Sequence, residues 1–320
     1  MRDRVVGVDL GGTQIRAVLT DFQGRKLARC QRLTRAEEGP EAVMGRVLAS
    51  IEEVLAGVDI GQVAGIGIGA PGPVDPVTGT LYDPPNLPGW TAISLTAQIE
   101  EAFHLPAFAG NDANVAALGE HRFGAGQGVD DLIYLTVSTG IGGGIISGGR
   151  LVTGARGFAG EIGHQTLDPN GPLCGCGQPG HLEAFASGPA IAREARQAIQ
   201  DGAESAMAHM ARSIDAITAE TVARAAGQGD ALACQLLSRA AFYIGLGLTN
   251  VIHMLEPARI LVGGGVSQAG DLLFGPIRET INQRLLSDVY RGVEIMPAGL
   301  GSDVGLLGAV ALVLAELEHT

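Results

Sequence analysis

Two stretches of the chain follow one plan. VVGVDLGGTQIRAVLTD (5–21) is an apolar strand, a glycine-rich turn and a second strand, and DLIYLTVSTGIGGGIISGG (131–149) repeats strand, S-T-G-I-G-G-G turn and strand. Identity between the two is low, so the supersecondary unit repeats and the sequence does not. A chain of 320 residues has room for two domains of ordinary size. Two such units therefore imply two related α/β domains, each opening on a glycine hairpin that fits a phosphate. Hydrophobic residues make up 46% and charged residues 17%, enough for large cores, and the 49 glycines cluster inside apolar runs as in tight strand–turn elements.

Periodicity fills in the rest. Glu41 to Leu55 has helical spacing, and Val63 to Gly69 reads as a buried strand ending at the Pro-Gly-Pro turn 71–73. Ser94 is placed to cap a helix reaching Phe103, and a strand at Ala107 to Ala109 leads into a helix from Asp112 to Arg122. Residues 230–255 read as a long helix, Arg259 to Val262 as a strand, and Asp303 to Glu318 as an apolar helix with Asp303 as its cap. The domain change is expected near 110, with residues 1–110 and 304–320 forming a smaller domain and 111–303 a larger one.

Composition removes some classes of function. A net charge of −13 argues against nonspecific binding to nucleic acid or to an anionic membrane. The N-terminal MRDRVVGVDL lacks the apolar core of a signal peptide, and the run Ala240 to Leu255, broken by Asn250 and His253, is expected to be too short to span a bilayer. Four cysteines without a paired framework fit a reducing cytoplasm.

The chemistry sits in short motifs. In DLGGTQIR (9–16), Gly11 and Gly12 let backbone amides approach an anion, Thr13 adds a hydroxyl, and Asp9 at a strand end suits a hydrated Mg²⁺. A plain hairpin turn explains these residues equally well on their own; the second hairpin, STGIGGG (138–144), adds weight to a phosphate role. There is no G-x-x-x-x-G-K-[ST] and no kinase H-R-D, and the prolines of GIGIGAPGP (65–73) forbid the helix a dinucleotide site needs. In GNDANVAALGE (110–120), Asp112 stands between a strand and a helix, where a carboxylate can take a proton from a substrate hydroxyl, the competing role being a helix cap; Asn111 beside it is a polar binder of hydroxyls.

CGCGQPGH (174–181) concentrates two of the four cysteines. Cys174 and Cys176 are too close for ordinary disulfide geometry. With His164 and His181 they supply four nitrogen and sulfur donors, the number tetrahedral Zn²⁺ takes; free thiols beside unrelated histidines are the alternative.

On these residues the chain resembles the ROK family of sugar kinases, close to its bacterial glucokinases, over essentially its whole length. DLGGTQIR is similar to the family's first phosphate motif, and GAPGPVD (69–75) and NLPGW (86–90) to its sugar-side loops; GNDAN, STGIGGG, GEIGH (160–164), CGCGQPGHLE (174–183) and LVGGGVS (261–267) follow in family order. The resemblance implies an α/β chain of the actin-like (ribonuclease H-like) ATPase fold, with two domains around a cleft that holds ATP and sugar. It also implies Asp112 as the catalytic base. Gly72, Asn86, Asn111, Glu161, His164 and Glu183 would face the sugar. Thr13, Thr139 and Gly140 would lie at the phosphates, and Gly263, Gly264 and Gly265 beside the adenosine. One departure is His181, which stands where the commoner family pattern has a third cysteine; imidazole is a good zinc ligand, so a Cys₂His₂ site is expected.

The implied activity is ATP- and Mg²⁺-dependent phosphorylation of a hexose, glucose before N-acetylmannosamine, N-acetylglucosamine or fructose, with Zn²⁺ structural. A homodimer or homotetramer is expected by resemblance alone. Sugar-responsive repressors of the family carry a helix-turn-helix domain ahead of this part, and with eight residues before Asp9 none is expected here. Retention of Asp9, Asp112 and both hairpins speaks against a sugar-binding protein without catalysis.

Overall fold

The computed structural model describes residues 2–84 and 86–318. The chain opens with β1 (Arg4–Leu10), β2 (Gln14–Asp21), β3 (Lys26–Leu33), α1 (Pro40–Leu55) and β4 (Val63–Ala70). Three two-residue strands follow, β5 (Val74–Asp75), β6 (Thr80–Leu81) and β7 (Ile93–Ser94), then α2 (Leu95–Phe103), β8 (Ala107–Asn111) and α3 (Asp112–Phe123). Next come β9 (Leu132–Val137), β10 (Ile141–Ser147), β11 (Arg150–Leu151), α4 (Leu182–Ala186), α5 (Gly188–Gln200), α6 (Met207–Met210) and α7 (Ala219–Gly227). The chain ends with α8 (Ala231–Leu255), β12 (Arg259–Gly263), α9 (Asp271–Arg284), β13 (Glu294–Pro297) and α10 (Val304–Glu318). Two compact units result: Met1–Val129, Gly144–Gly160 and Gly299–Thr320 form one, Asp130–Gly143 and Glu161–Ala298 the other. The sequence draws the domain change at 110; α3 groups with the first unit because it packs along α10.

In the first unit a five-stranded sheet runs in the order β3-β2-β1-β4-β8, with β2 antiparallel to β1 and β3, and β4 parallel to β1 and β8. Strand side chains alternate between faces, and β1 shows what each face is for. Val6, Val8 and Leu10 join the core that includes Val43, Val47 and Ile51 of α1. Val5 joins the smaller core with Leu306, Val310 and Val313 of α10. Gly7 lies on that second face, where a Cβ would stand 2.5 Å from the Leu306 carbonyl oxygen and 2.8 Å from Val310 Cγ2. Asp9 follows two residues on, so its carboxylate lies against Gly305 in the first turn of α10. The carboxylate thus gains from the unpaired amides and dipole of a helix N-terminus. Asp303, expected to cap α10, instead turns its carboxylate to Lys26 and Arg29 of β3, and a short 3₁₀ turn, Gly301–Asp303, leads into the helix.

The chain segment that returns to the first unit is held by Glu120. This side chain is fully buried, and its carboxylate accepts from the backbone N–H of Ala125 (2.9 Å), Gly299 (2.9 Å) and Leu300 (2.8 Å). A buried charge is tolerated when its lone pairs are filled in this way.

In the second unit β9 lies between β10 and β12, and β12 pairs in parallel with both β9 and β13. The helix expected from residue 230 is α8, capped by the Asp230 side chain at Ala233 N–H. Its 25 residues make it long and apolar enough to cross a membrane by length and composition, unlike the shorter run expected from the sequence. Here it packs on α9, α7 and α4 and buries Leu236, Leu237, Ile244, Leu248 and Ile252.

Glu120→Gln replaces a carboxylate that serves three N–H donors by a group with one accepting oxygen. Leaving a buried donor unsatisfied costs about 1–3 kcal/mol, so urea unfolding should show a loss of about that size. An unchanged unfolding midpoint would remove Glu120 from this role.

Candidate functional site

In the first unit, Asp9, Gly11, Gly12 and Thr13 form the turn between β1 and β2, closed by a Gly11 N–H to Gln14 carbonyl bond of 2.9 Å. The register sets Arg16 directly opposite Asp9, and their side chains form an ion pair. Arg16 also donates to the Ser302 carbonyl at 2.6 Å. Gly12 touches the loop that carries Asn86: a Cβ there would stand 2.9 Å from Asn86 Cβ, so the small residue brings Asn86 against the hairpin.

The β8–α3 junction separates two roles that the sequence left open. Asn111 is the cap of α3; its Oδ1 accepts from Ala113 (2.9 Å) and Asn114 (3.3 Å), and its Nδ2 donates to the Gly72 carbonyl at 3.1 Å. Asp112 is the first residue of the helix proper, with Oδ1 2.8 Å from the Ala113 amide. The side chain of Asn111, read from the sequence as a hydroxyl binder, thus ties the start of α3 to the Pro-Gly-Pro turn.

The second unit holds a cavity of about 770 Å³ lined by Ser138, Thr139, Gly188, Pro189, Arg196 and Gln268, among others. Gly188 and Pro189 open α5, a 13-residue helix capped by Ser187, so the cavity includes a helix N-terminus, a favourable place for an anion. Of the three glycines at 263–265 only Gly265 lines the cavity. Gly263 and Gly264 are needed for packing, since side chains there would strike Tyr134 and the Val137 backbone of β9. Arg196 donates twice to the Ile217 carbonyl, at 2.8 and 3.1 Å.

His164, Cys174, Cys176 and His181 come together in the same unit. The two Nδ1 atoms of the histidines are 3.2 Å apart, Cys176 Sγ is 3.2 Å from His181 Nδ1, and Cys174 Sγ is 3.7 Å from His164 Nδ1. All four donor atoms lie within 4.8 Å of one another. The edges of a tetrahedron drawn with zinc–nitrogen and zinc–sulfur bond lengths are roughly 3.3–3.8 Å, so the set fits that ion. Local backbone bonds shape the loop: Cys174 N–H to Gln178 carbonyl, Gly177 N–H to Cys174 carbonyl, and Gly180 N–H to Pro172 carbonyl. Burial pushes the Cys174 thiol up to about 11, and the nearby Glu183 carboxylate adds to the rise. The proton stays on sulfur until a cation displaces it, and the thiol lies 3.4 Å from Glu183 Oε1 as donor.

With Nδ1 turned to the cluster, His164 presents Nε2 on its other side, 3.8 Å from Glu161 Oε2. Glu183 Oε2 accepts from the Ile141 amide at 2.9 Å. Thus Glu161, His164 and Glu183 gather around the metal donors in the second unit, whereas Gly72, Asn86, Asn111 and Asp112 belong to the first. Arg16 and Glu120 were passed over in the sequence, as were the cavity residues Arg196 and Gln268. Only Arg16 left a signal there, because a four-residue turn after Leu10 places positions 9 and 16 opposite each other.

Comparison with known proteins adds context. A family model described as ROK family matches residues 5–316. The glucokinase of Thermotoga maritima is 37% identical over 310 residues, covering 97% of each chain. The xylose repressor of Caldicellulosiruptor bescii is 32% identical, and the alignment covers 98% of this chain and 77% of the repressor. A crystal structure of a ROK family glucokinase from Streptomyces griseus in complex with glucose and AMPPNP superposes with a TM-score of 0.84 at 38% identity, covering 97% of this chain and 98% of that one.

Elemental analysis of the purified protein should find about one zinc per chain. His181→Cys should retain it, since thiolate replaces imidazole, and His181→Ala should lose most of it under mild chelation. Retention of full zinc content by His181→Ala would mean that the fourth donor lies elsewhere.

Proposed function

Because the chain belongs to the ROK family and has the actin-like ATPase fold of its sugar kinases, we propose that it is an ATP-dependent hexose kinase whose acceptor is glucose and whose product is glucose 6-phosphate. The observation that carries the reading is the β8–α3 junction. Asn111 supplies the cap there, and Asp112, the first residue of α3, follows it with a carboxylate whose Oδ1 is 2.8 Å from the Ala113 amide.

In this reading the sugar 6-hydroxyl attacks the γ-phosphorus as its proton passes to Asp112. The new O–P bond forms while the bond to the β–γ bridging oxygen breaks, and ADP leaves with that electron pair. Such a transfer needs positioning and charge neutralisation more than covalent help. Thr13 and the amides of Gly11 and Gly12, with Thr139 and Gly140, serve the phosphates. Asp9 would hold the hydrated Mg²⁺ that arrives with the nucleotide, a cation that would offset the phosphate charge. The adenosine occupies the cavity beside Gly265 and the N-terminus of α5. Asn86, Asn111, Glu161, His164 and Glu183 orient the sugar, Asn111 through its hold on Gly72. His164, which would be held through Nδ1 by a bound zinc, would turn Nε2 toward a sugar hydroxyl.

The similarity to repressors keeps a sugar-binding regulator as the rival. The joint presence of Asp9, Asp112 and both hairpins supports the kinase. A panel of glucose, mannose, fructose, N-acetylmannosamine and N-acetylglucosamine in an ADP-release assay tests the acceptor; glucose should give the highest kcat/KM.

Asp112→Asn should lower kcat by about 10²–10⁴ and keep sugar affinity within a few-fold. Turnover near that of the parent would reject Asp112 as the base. Asp9→Ala should depress turnover more than sugar affinity; the reverse pattern would put Asp9 on the wrong substrate.

A further inference from the structure

The hairpin 138–141 is gripped from the metal side at three points. Glu183, two residues after His181, accepts from the Ile141 amide through Oε2 at 2.9 Å. The Ile141 carbonyl, in the next peptide group, lies so close to Gly163 that no side chain fits there, and Gly163 immediately precedes His164. Gly188 donates to the Ser138 carbonyl at 2.8 Å, and Gly188 follows Ser187, whose amide bonds the Glu183 carbonyl at 3.1 Å. Gly140 packs on the Glu183 carboxylate as well; a Cβ there would be 2.6 Å from Oε2. The hairpin's own contribution is small: Ser138 N–H closes the turn on the Gly140 carbonyl at 2.9 Å.

Two of these three grips, Gly163 and Glu183, thus stand within two residues of a histidine of the metal cluster. The same hairpin residues, Ser138 and Thr139, share a wall of the 770 Å³ cavity with Gly188 and Pro189. A backbone loop can present its amides to a phosphate only when its own position is fixed. The 164–181 segment has no large buried apolar residue of its own; its ends are paired by the Leu182 N–H to Gln165 carbonyl bond (2.9 Å), and a metal on His164 and His181 would add a second tie between the ends that carry Gly163 and Glu183.

We infer that Glu183 is a positioning residue for the 138–141 hairpin, through which the metal cluster holds the nucleotide's phosphate loop in place as well as the sugar side. This rests on the assignment of Thr139 and Gly140 to the phosphates and reaches beyond a metal that serves the sugar alone.

The test is binding of Mg²⁺–AMPPNP by calorimetry with no sugar present, so that sugar contacts play no part. Zinc-loaded protein, chelated protein, Glu183→Ala and Glu183→Gln are compared. Glu183→Ala and chelation should each weaken AMPPNP about tenfold, whereas Glu183→Gln, which keeps an oxygen for the Ile141 amide, should stay within about threefold of the parent. Hydrogen exchange at the Ile141 amide should speed up in Glu183→Ala and in chelated protein but not in Glu183→Gln. Unchanged AMPPNP affinity in both the alanine variant and the chelated protein would overturn the inference. Should Glu183→Ala fail to fold, the chelated parent protein decides the matter by itself. A protein that loses AMPPNP on chelation yet phosphorylates no hexose keeps the inference and ends the kinase reading. A hexose kinase whose nucleotide affinity ignores both zinc and Glu183 does the opposite.

Discussion

The helix α10 comes so close to β1 and β4 at Gly7 and Gly67 that no side chain fits at those two positions. A Cβ on Gly7 would press on the Leu306 carbonyl, one on Gly67 would overlap the Ala309 backbone, and Gly308 leaves the same small gap toward Val115 of α3. Close approach of backbones is what glycine permits, at a cost in strand propensity. Because the approach is so close, the next residue on that face of β1, Asp9, reaches the first turn of α10. The ion pair with Arg16 and the Arg16 bond to the Ser302 carbonyl then tie the β-hairpin to the entry of the helix. Glu120 secures the chain just before that entry. The position of the first hairpin is therefore set by helix–sheet contact more than by the hairpin's own turn.

The second unit solves a similar problem by other means. Its hairpin turns at Ser138–Gly140, and its hold comes from Glu183 and Gly188, which follow the four-donor loop in sequence. One carboxylate is thus in contact with a buried thiol of the metal set through Oε1 and with the hairpin through Oε2. A group so placed serves two neighbours, and a change at either is felt by the other.

Much of this was legible in the sequence, for identifiable reasons. The two hairpins follow from alternating apolar residues around glycine, a local pattern. The four candidate metal donors span eighteen positions, so short turns alone bring them together, and Ser94 caps α2 as its spacing implies. What escaped notice depends on distant partners. Nothing local says that Gly7 and Gly67 wait for the distant C-terminal helix α10, or that Glu120 serves the amides of Gly299 and Leu300. Asn111 and Asp112 are equally good capping residues by type, and only the backbone shows that Asn111 takes the role. The glycines 263–265 look alike in sequence, yet two pack against β9 and one faces the cavity. The apolar run from Ala240 is the C-terminal part of a longer helix whose earlier turns, with Gln235, Ser238 and Arg239, are too polar to extend an apolar run.

The central claim is that this fold transfers phosphate to a sugar hydroxyl and not to water. The most direct measurement is ³¹P NMR of the purified protein with Mg²⁺–ATP and glucose. A phosphomonoester at the glucose C6 oxygen should grow in equal amount with ADP, with little inorganic phosphate. Inorganic phosphate growing in step with ADP, or ATP left intact beside glucose, would contradict the claim.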